Sequence, residues 1–341
     1  MIERTESTPL RLSINSTLEI RFFFRKSKAN ILCKRDWVCY HGYTRVSFEP
    51  KQSGNVEKRC RETGIFVNFY WDIRWNRNRR TMMIRMILTD LDHTLLKQDG
   101  SVSEKTLQIL TACRTKEIRF AIATARYWIG AERYIDLLNP DFEITTDGTL
   151  VHSHGQCIYS CAFSVSETNA IISGIAEAVP GAEITAACGK TVYWNSRHIS
   201  ESEKLHKAVY CDYSSPLDVQ ANKIVAELPD ESVAREIAAK TNSKLQCYRG
   251  EKWYAFMPAA SGKTAAIRAL AEISGISPED TVAFGDDLND IEMLRFCGTG
   301  IAVANAIQEV QEAADEITLS NDEDGVAEWL ADHCLKEIMT R

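Results

Sequence analysis

RMILTDLDHTLL, residues 85–96, sets the architecture of this chain. Its first part, RMILT, is a short apolar run of the kind that forms a strand buried on both faces. The run ends abruptly in DLDHT, so the strand delivers acids at its carboxyl end. In open α/β sheets that end is where ligands sit. Working outward, Ser103 can cap a helix to about Lys116, with Leu107, Ile109 and Leu110 on its apolar face. FAIATAR (120–126) reads as a second buried strand, a helix follows to about Leu138, and FEITTDG (142–148) is a third strand. Strand, helix, strand, helix at this spacing predicts right-handed crossovers and a parallel sheet. Asp90, Asp92, Thr124 and Asp147 all fall at predicted strand ends.

The texture changes after residue 165. Residues 166–255 hold a helix-like ETNAIISGIAEAV, strand candidates in EITAACG, TVYWNS and NKIVAEL, a helix in ESVAREIAAKTN, and a closing strand pair. This reads as an α+β cap domain inserted into an α/β core of residues 83–165 and 256–341. The core pattern resumes with the helix SGKTAAIRALAEISGI and the strand and acidic loop DTVAFGDDLND. The expected fold is therefore α/β, a Rossmann-like parallel-sheet core carrying an α+β cap.

Composition narrows the function. Hydrophobic residues make up 45% and charged residues 26%, the balance of a soluble globular protein, and no run approaches the roughly 20 apolar residues of a membrane span. Residues 1–85 carry 18 Lys+Arg against 8 Asp+Glu, a net of +10, while the remainder carries 22 against 39, a net of −17. An acidic main body repels nucleic acid and suits a protein that approaches anionic substrates through a cation. The 11 cysteines have no paired spacing, and the C-x3-C of Cys157 and Cys161 is weak evidence for a metal, so reduced thiols in the cytoplasm are expected. Residues 1–82 are an atypical basic extension, rich in Trp and Arg and without sustained periodicity. They read as a nucleic-acid or lipid arm, as a transit peptide, or as a segment outside the functional protein, whose pattern starts at Met82, Met83 or Met86. The last reading is preferred.

Two acidic clusters carry the chemistry. In DLDHTLL (90–96), Asp90 and Asp92 lie just past a strand end, where a turn can bring both to one site. Clustered carboxylates repel, so they need a cation or a shared proton. In GDDLND (285–290), Asp286, Asp287 and Asp290 crowd behind the apolar run TVAF, with Gly285 permitting a close turn and Asp290 able to cap the next helix. Carboxylates converging from two strand ends suit a hard divalent cation such as Mg²⁺. Thr124 offers a hydroxyl and neighbouring amides to a phosphate oxygen. Lys263, in SGKTAA, lies at a helix start, where the dipole also favours anions. SGKT is not a nucleotide-binding P-loop, because Met257 stands where that motif needs its first glycine.

In this order, DLDHTLL, ATAR, SGKTAA and GDDLND resemble the four motifs of the haloacid dehalogenase superfamily, and the cap and the closing LSNDEDGVAEWL resemble its Cof-like subfamily. The resemblance spans about residues 86 to 335. It implies a magnesium-dependent phosphatase acting on a small phosphorylated metabolite, a sugar phosphate or phosphorylated cofactor. Asp90 is then the nucleophile and Asp92 the proton donor and acceptor. Thr124, Ala125, Lys263 and Asn289 contact phosphate or substrate. Asp90, Asp92 (through its backbone carbonyl), Asp286 and Asp290 form the metal set. His93 and Ala125 stand where the pattern usually has glycine. A phosphomutase or phosphotransferase shares the aspartyl-phosphate step, and a silent phospholigand-binding regulator is the other alternative, although Asp90, Asp92 and Lys263 are all present. Neither a nucleic-acid nor a membrane partner is expected. Tyr193, Trp194, Arg197 and His198 are candidate cap contacts to the substrate.

Overall fold

The computed structural model describes residues 83–201, 205–248 and 251–335, and of residues 1–82 only the backbone of short strands such as the antiparallel pair Leu10–Ile14 and Leu18–Phe22. Residues 1–82 form one compact unit and 83–341 another. The readings of the first segment as an arm, a leader or a non-functional stretch lie outside the described residues.

In the second unit the core sheet has eight strands. They are β1 (Met86–Thr89), β2 (Arg119–Ala123), β3 (Phe142–Thr145), β4 (Leu150–Ser153), β5 (Gln156–Ser160), β12 (Thr281–Gly285), β13 (Thr299–Ala302) and β14 (Glu316–Ile317), in the order β5-β4-β3-β2-β1-β12-β13-β14. Strands β3, β2, β1, β12, β13 and β14 run parallel. Every residue of β1 and β12 is buried, which is why both read as unbroken apolar runs. Helix α1 (Glu104–Thr115) starts where its cap predicts, the Ser103 side chain accepting from the Thr106 N–H. Helix α2 is Trp128–Leu138. The hairpin β4–β5 lies in a stretch for which the sequence suggested no element.

The cap sheet contains β6 (Ile184–Cys188), β7 (Thr191–Trp194), β8 (Val209–Tyr210), β9 (Lys223–Glu227), β10 (Ser243–Cys247) and β11 (Trp253–Pro258), in the order β8-β7-β6-β9-β11-β10. Helices α3 (Val165–Ala178) and α4 (Glu231–Thr241) contribute to its apolar core, with Ile171, Ile175, Ile224, Ile237 and Phe256 buried together. Core and cap thus have separate hydrophobic clusters. After the cap, α5 (Lys263–Ser274), α6 (Ile291–Phe296), α7 (Gln308–Ala313) and α8 (Gly325–Leu330) complete the core. No helix among the described residues is long and apolar enough to cross a membrane.

Candidate active site

The sheet order puts the ends of β2, β1 and β12 side by side, with Thr89 level with both Ile122 and Phe284. Asp90 continues the ladder, its N–H donating to the Phe284 carbonyl at 3.0 Å. The chain then closes a single wide turn, Leu96 N–H to Leu91 O, through an extended Asp92 and a left-handed His93 (φ 58). That φ accounts for the glycine usual at this position: histidine has to adopt a conformation that only glycine takes without cost. Asn305 Nδ2 donates to the His93 carbonyl at 2.7 Å and holds the turn. Ala125, in contrast, is not among the residues with positive φ, so its methyl costs little.

From the third strand end, Asp290 turns inward. Its Oδ2 accepts the Asp286 and Asp287 N–H groups at 3.0 and 3.2 Å, and its Oδ1 accepts from Lys263 Nζ at 2.6 Å. Its side chain makes no cap bond to α6, so of the two roles open to it only the buried one is taken, and Asp287 accepts from Leu288 N–H. Gly285 is needed for room rather than for φ, since a Cβ there would lie 2.5 Å from the Asp290 Cβ. Thr94 Oγ1 donates to Asp286 Oδ1 at 2.6 Å.

Lys263 is the first residue of α5, after a Gly262 at φ 142, and its side chain is only 2% exposed. Its ammonium bonds Asp90 Oδ1 and Asp290 Oδ1, both at 2.6 Å. Oxygens of Asp90, Asp286 and Asp290 all lie within 4.8 Å of one another. Three carboxylates thus face one ammonium. Burial, opposed by Lys263 and reinforced by Asp290 and Asp286, pushes the Asp90 carboxyl well above the usual range. Burial likewise raises Asp286 to about 6, against the lowering effect of the Thr94 hydroxyl. Burial disfavours the Lys263 charge, yet Asp290 and Asp90 outweigh it and raise its pKa. Among the described residues the group is short of positive charge, and its all-oxygen donor set fits a hard divalent cation.

The carboxylate of Asp92 faces elsewhere, held by Arg126 Nε at 2.7 Å and Nη2 at 2.5 Å. Such a two-pronged pair fixes the carboxylate plane. Thr124 lies just beyond β2, fully buried, and its hydroxyl accepts from Arg126 N–H at 3.1 Å. The Thr124 N–H is taken by Ile144 O, so the local amides are less open to a ligand than the sequence suggested. Asn289 Nδ2 donates to Asp147 Oδ1 at 3.4 Å. Asp147 also pairs with Lys223 from the cap.

Sequence reasoning left Arg126, Thr94 and Lys223 unassigned. Arg126 stood inside the quoted ATAR, but its partner is 34 residues away. Lys223 carried no signal, because which cap residues face the core depends on the cap sheet's register. Of the suggested cap contacts, Tyr193 packs against the cap core, Trp194 is buried, and His198 faces Glu201 at the surface.

A sequence profile of haloacid dehalogenase-like hydrolases matches residues 87–330. The chain belongs to this family. Similar proteins include the 5-amino-6-(5-phospho-D-ribitylamino)uracil phosphatase YitU of Bacillus subtilis, 27% identical over 73% of this chain and 97% of that one. The HMP-PP phosphatase of Escherichia fergusonii is 27% identical over 67% of this chain and 87% of its own. Among solved structures, a subclass IIB sugar phosphatase of the family has the same fold, with a TM-score of 0.64 at 21% identity over 73% of this chain and 98% of that one. Within the family the chain is a Cof-like phosphatase, a phosphoric monoester hydrolase.

Proposed function

We propose that this phosphatase is Mg²⁺-dependent and removes phosphate from a small metabolite, a sugar phosphate or phosphorylated cofactor, through an aspartyl-phosphate on Asp90. The observation that carries the reading is the convergence of Asp90, Asp286 and Asp290 around a buried Lys263. Asp90, Asp286 and Asp290, with the Asp92 carbonyl, would hold the cation, which when bound neutralises negative charge and polarises phosphoryl oxygens.

An Asp90 oxygen attacks phosphorus as the ester oxygen leaves, so a P–O bond to Asp90 forms while the ester bond breaks. Splitting hydrolysis this way replaces one difficult displacement with two easier ones. Asp92 gives its proton to the departing alkoxide. It then takes a proton from the water that attacks phosphorus and releases Asp90. Arg126 grips Asp92 with two bonds while it is ionised, between the transfers, and with one when it carries the proton. Lys263 spreads the charge of the transferring phosphoryl group, with Thr124, Ala125 and Asn289 around it.

The substrates named for the relatives supply the first panel: 5-amino-6-(5-phospho-D-ribitylamino)uracil, HMP-PP and a set of sugar phosphates, beside a generic aryl phosphate. Phosphate release that needs Mg²⁺ and is abolished by chelator is the expected result. Undiminished release in chelator would sink the metal-dependent reading.

A further inference from the structure

We propose that Lys223 is the positioning residue through which the cap acts on the phosphoryl-transfer site. Asp147 falls at a strand end beside the catalytic motifs, yet the mechanism above gives it no task. Its partner explains it. Lys223 opens cap strand β9, paired in register with Ala187 of β6, and its side chain leaves the cap and is buried against the core. There its ammonium forms an ion pair with Asp147 Oδ2 and donates to the Ala125 carbonyl at 3.2 Å. Asp147 Oδ1 in turn accepts from Asn289. One cap ammonium therefore ties together the loop after Thr124, the turn at 146–148 and the acidic loop that holds Asp286 and Asp290. The rings of Tyr127 from the core and Tyr248 from the cap flank it at 5.3 and 5.4 Å.

The turn that Lys223 grips does not hold its shape unaided. Thr146, Asp147 and Gly148 have φ of 55, 55 and 81, and a β-branched threonine rarely adopts the first of these. Such backbone persists only where its surroundings over-determine it. Core hydrogen bonds supply part of that, Thr146 N–H to Arg126 O at 2.7 Å and Asp147 N–H to Thr124 O at 3.2 Å. Gly148 also lies so close to the start of α5 that a Cβ would sit 2.4 Å from the Gly262 carbonyl carbon. The countercharge for the buried Asp147 comes from the cap. That ammonium is the group that bridges the Asp147 side chain and the Ala125 carbonyl, and without it the strained turn loses its tie to the loop after Thr124. The seating of the cap strand and the placement of Ala125 and Asn289 are thus linked through one side chain. The catalytic consequence rests on the phosphatase reading; the structural link does not.

The test uses the full chain with Lys223→Met combined with Asp147→Asn, which removes both charges and leaves no unpaired ion. Asparagine tolerates the left-handed backbone and keeps the contact to Asn289. The expected result on the aryl phosphate is a kcat at least about 30-fold lower, with KM within about threefold and an unchanged melting temperature. Lys223→Arg should recover kcat to within about fivefold of wild type, and Asp147→Asn alone, which leaves Lys223 on the Ala125 carbonyl, should also stay within about fivefold. Wild-type kcat in the folded double variant overturns the proposal. So does Asp147→Asn alone falling as low as the double, because Asp147 would then carry the effect. A readout without turnover is amide hydrogen exchange at Thr146 and Asp147, expected to be at least about tenfold faster in the double variant. If wild type releases no phosphate, the phosphatase reading fails, and unchanged exchange at these two amides overturns the Lys223 assignment separately.

Discussion

Replacing Lys263 by methionine keeps the volume of the side chain and deletes its charge. The ammonium sits 2.6 Å from both Asp90 and Asp290, and the side chains of all three are almost completely withdrawn from water. Breaking a buried ion pair by removing one partner costs about 3–5 kcal/mol. Here two carboxylates lose the same partner and Asp286 adds like charge, so the metal-free variant should fall at the upper end, about 5 kcal/mol near pH 8. In a folded unit of this size that lowers the melting temperature by roughly 10–20 °C. The sign of the pH dependence follows from the carboxyls. Without Lys263, which lowers both, the raised folded-state pKa values of Asp90 and Asp286 climb further above their unfolded ones, so stability is retained at low pH and lost as pH rises through the raised values. The deficit should therefore shrink toward about pH 5, and Mg²⁺ should reduce it at about pH 8. Urea melts of both proteins, with chelator and with Mg²⁺, measure all three, and kcat should fall by about 10²–10³-fold. A deficit under about 1 kcal/mol in chelator near pH 8, or one that does not change with pH, would refute the assigned electrostatics.

Three further outcomes follow from buried or strained positions away from the metal-binding carboxylates. Glu143 and His152 face each other across β3 and β4, and burial drives the first up to about 7 and the second down to about 4. Each departure is worth about 3 kcal/mol with opposite slope: Glu143 loses stability as pH rises to about 7, while His152 gains it from about 4 upward. The two nearly cancel, so relative to wild type Glu143→Gln should add a climb in stability of about 3 kcal/mol between about pH 4.5 and 7, and a profile parallel to wild type would contradict this. Gly148→Ala should cost about 2–4 kcal/mol in denaturant melts, because it combines a left-handed φ with a Cβ jammed against Gly262. His93→Gly should stabilise by about 0.5–1 kcal/mol by relieving the left-handed histidine, and destabilisation in the same melts would show that the imidazole makes a compensating contact.

The legibility of the fold varied with the kind of signal each segment carries. Strands β1 and β12 announced themselves because burial on both faces forces unbroken apolar runs, and their acids had to lie at the carboxyl ends. The cap of α1 was equally plain, since Ser103 needs only local hydrogen bonding. Hairpin β4–β5 was missed because its second strand is largely exposed and shows no apolar pattern. Within the site, residues defined by local motif chemistry, Asp90, Asp286, Asp290 and Lys263, could be proposed from spacing, and they lie together. Lys223 and the orientation of Asp92 could not, because each is settled by a partner 76 or 34 residues away. The inward turn of Asp290 was open to two readings for a similar reason: a capping role and a buried role use the same residue at the same spacing.

The central claim is that Asp90 becomes phosphorylated. The most direct measurement is acid-quenched single turnover of an aryl phosphate with Mg²⁺, followed by peptide mass spectrometry. A transient increase of one phosphoryl group is expected on the peptide containing Asp90, lost with chelator and lost in Asp90→Asn. Phosphate release at full rate from Asp90→Asn, with no phosphorylated peptide in either protein, would contradict it.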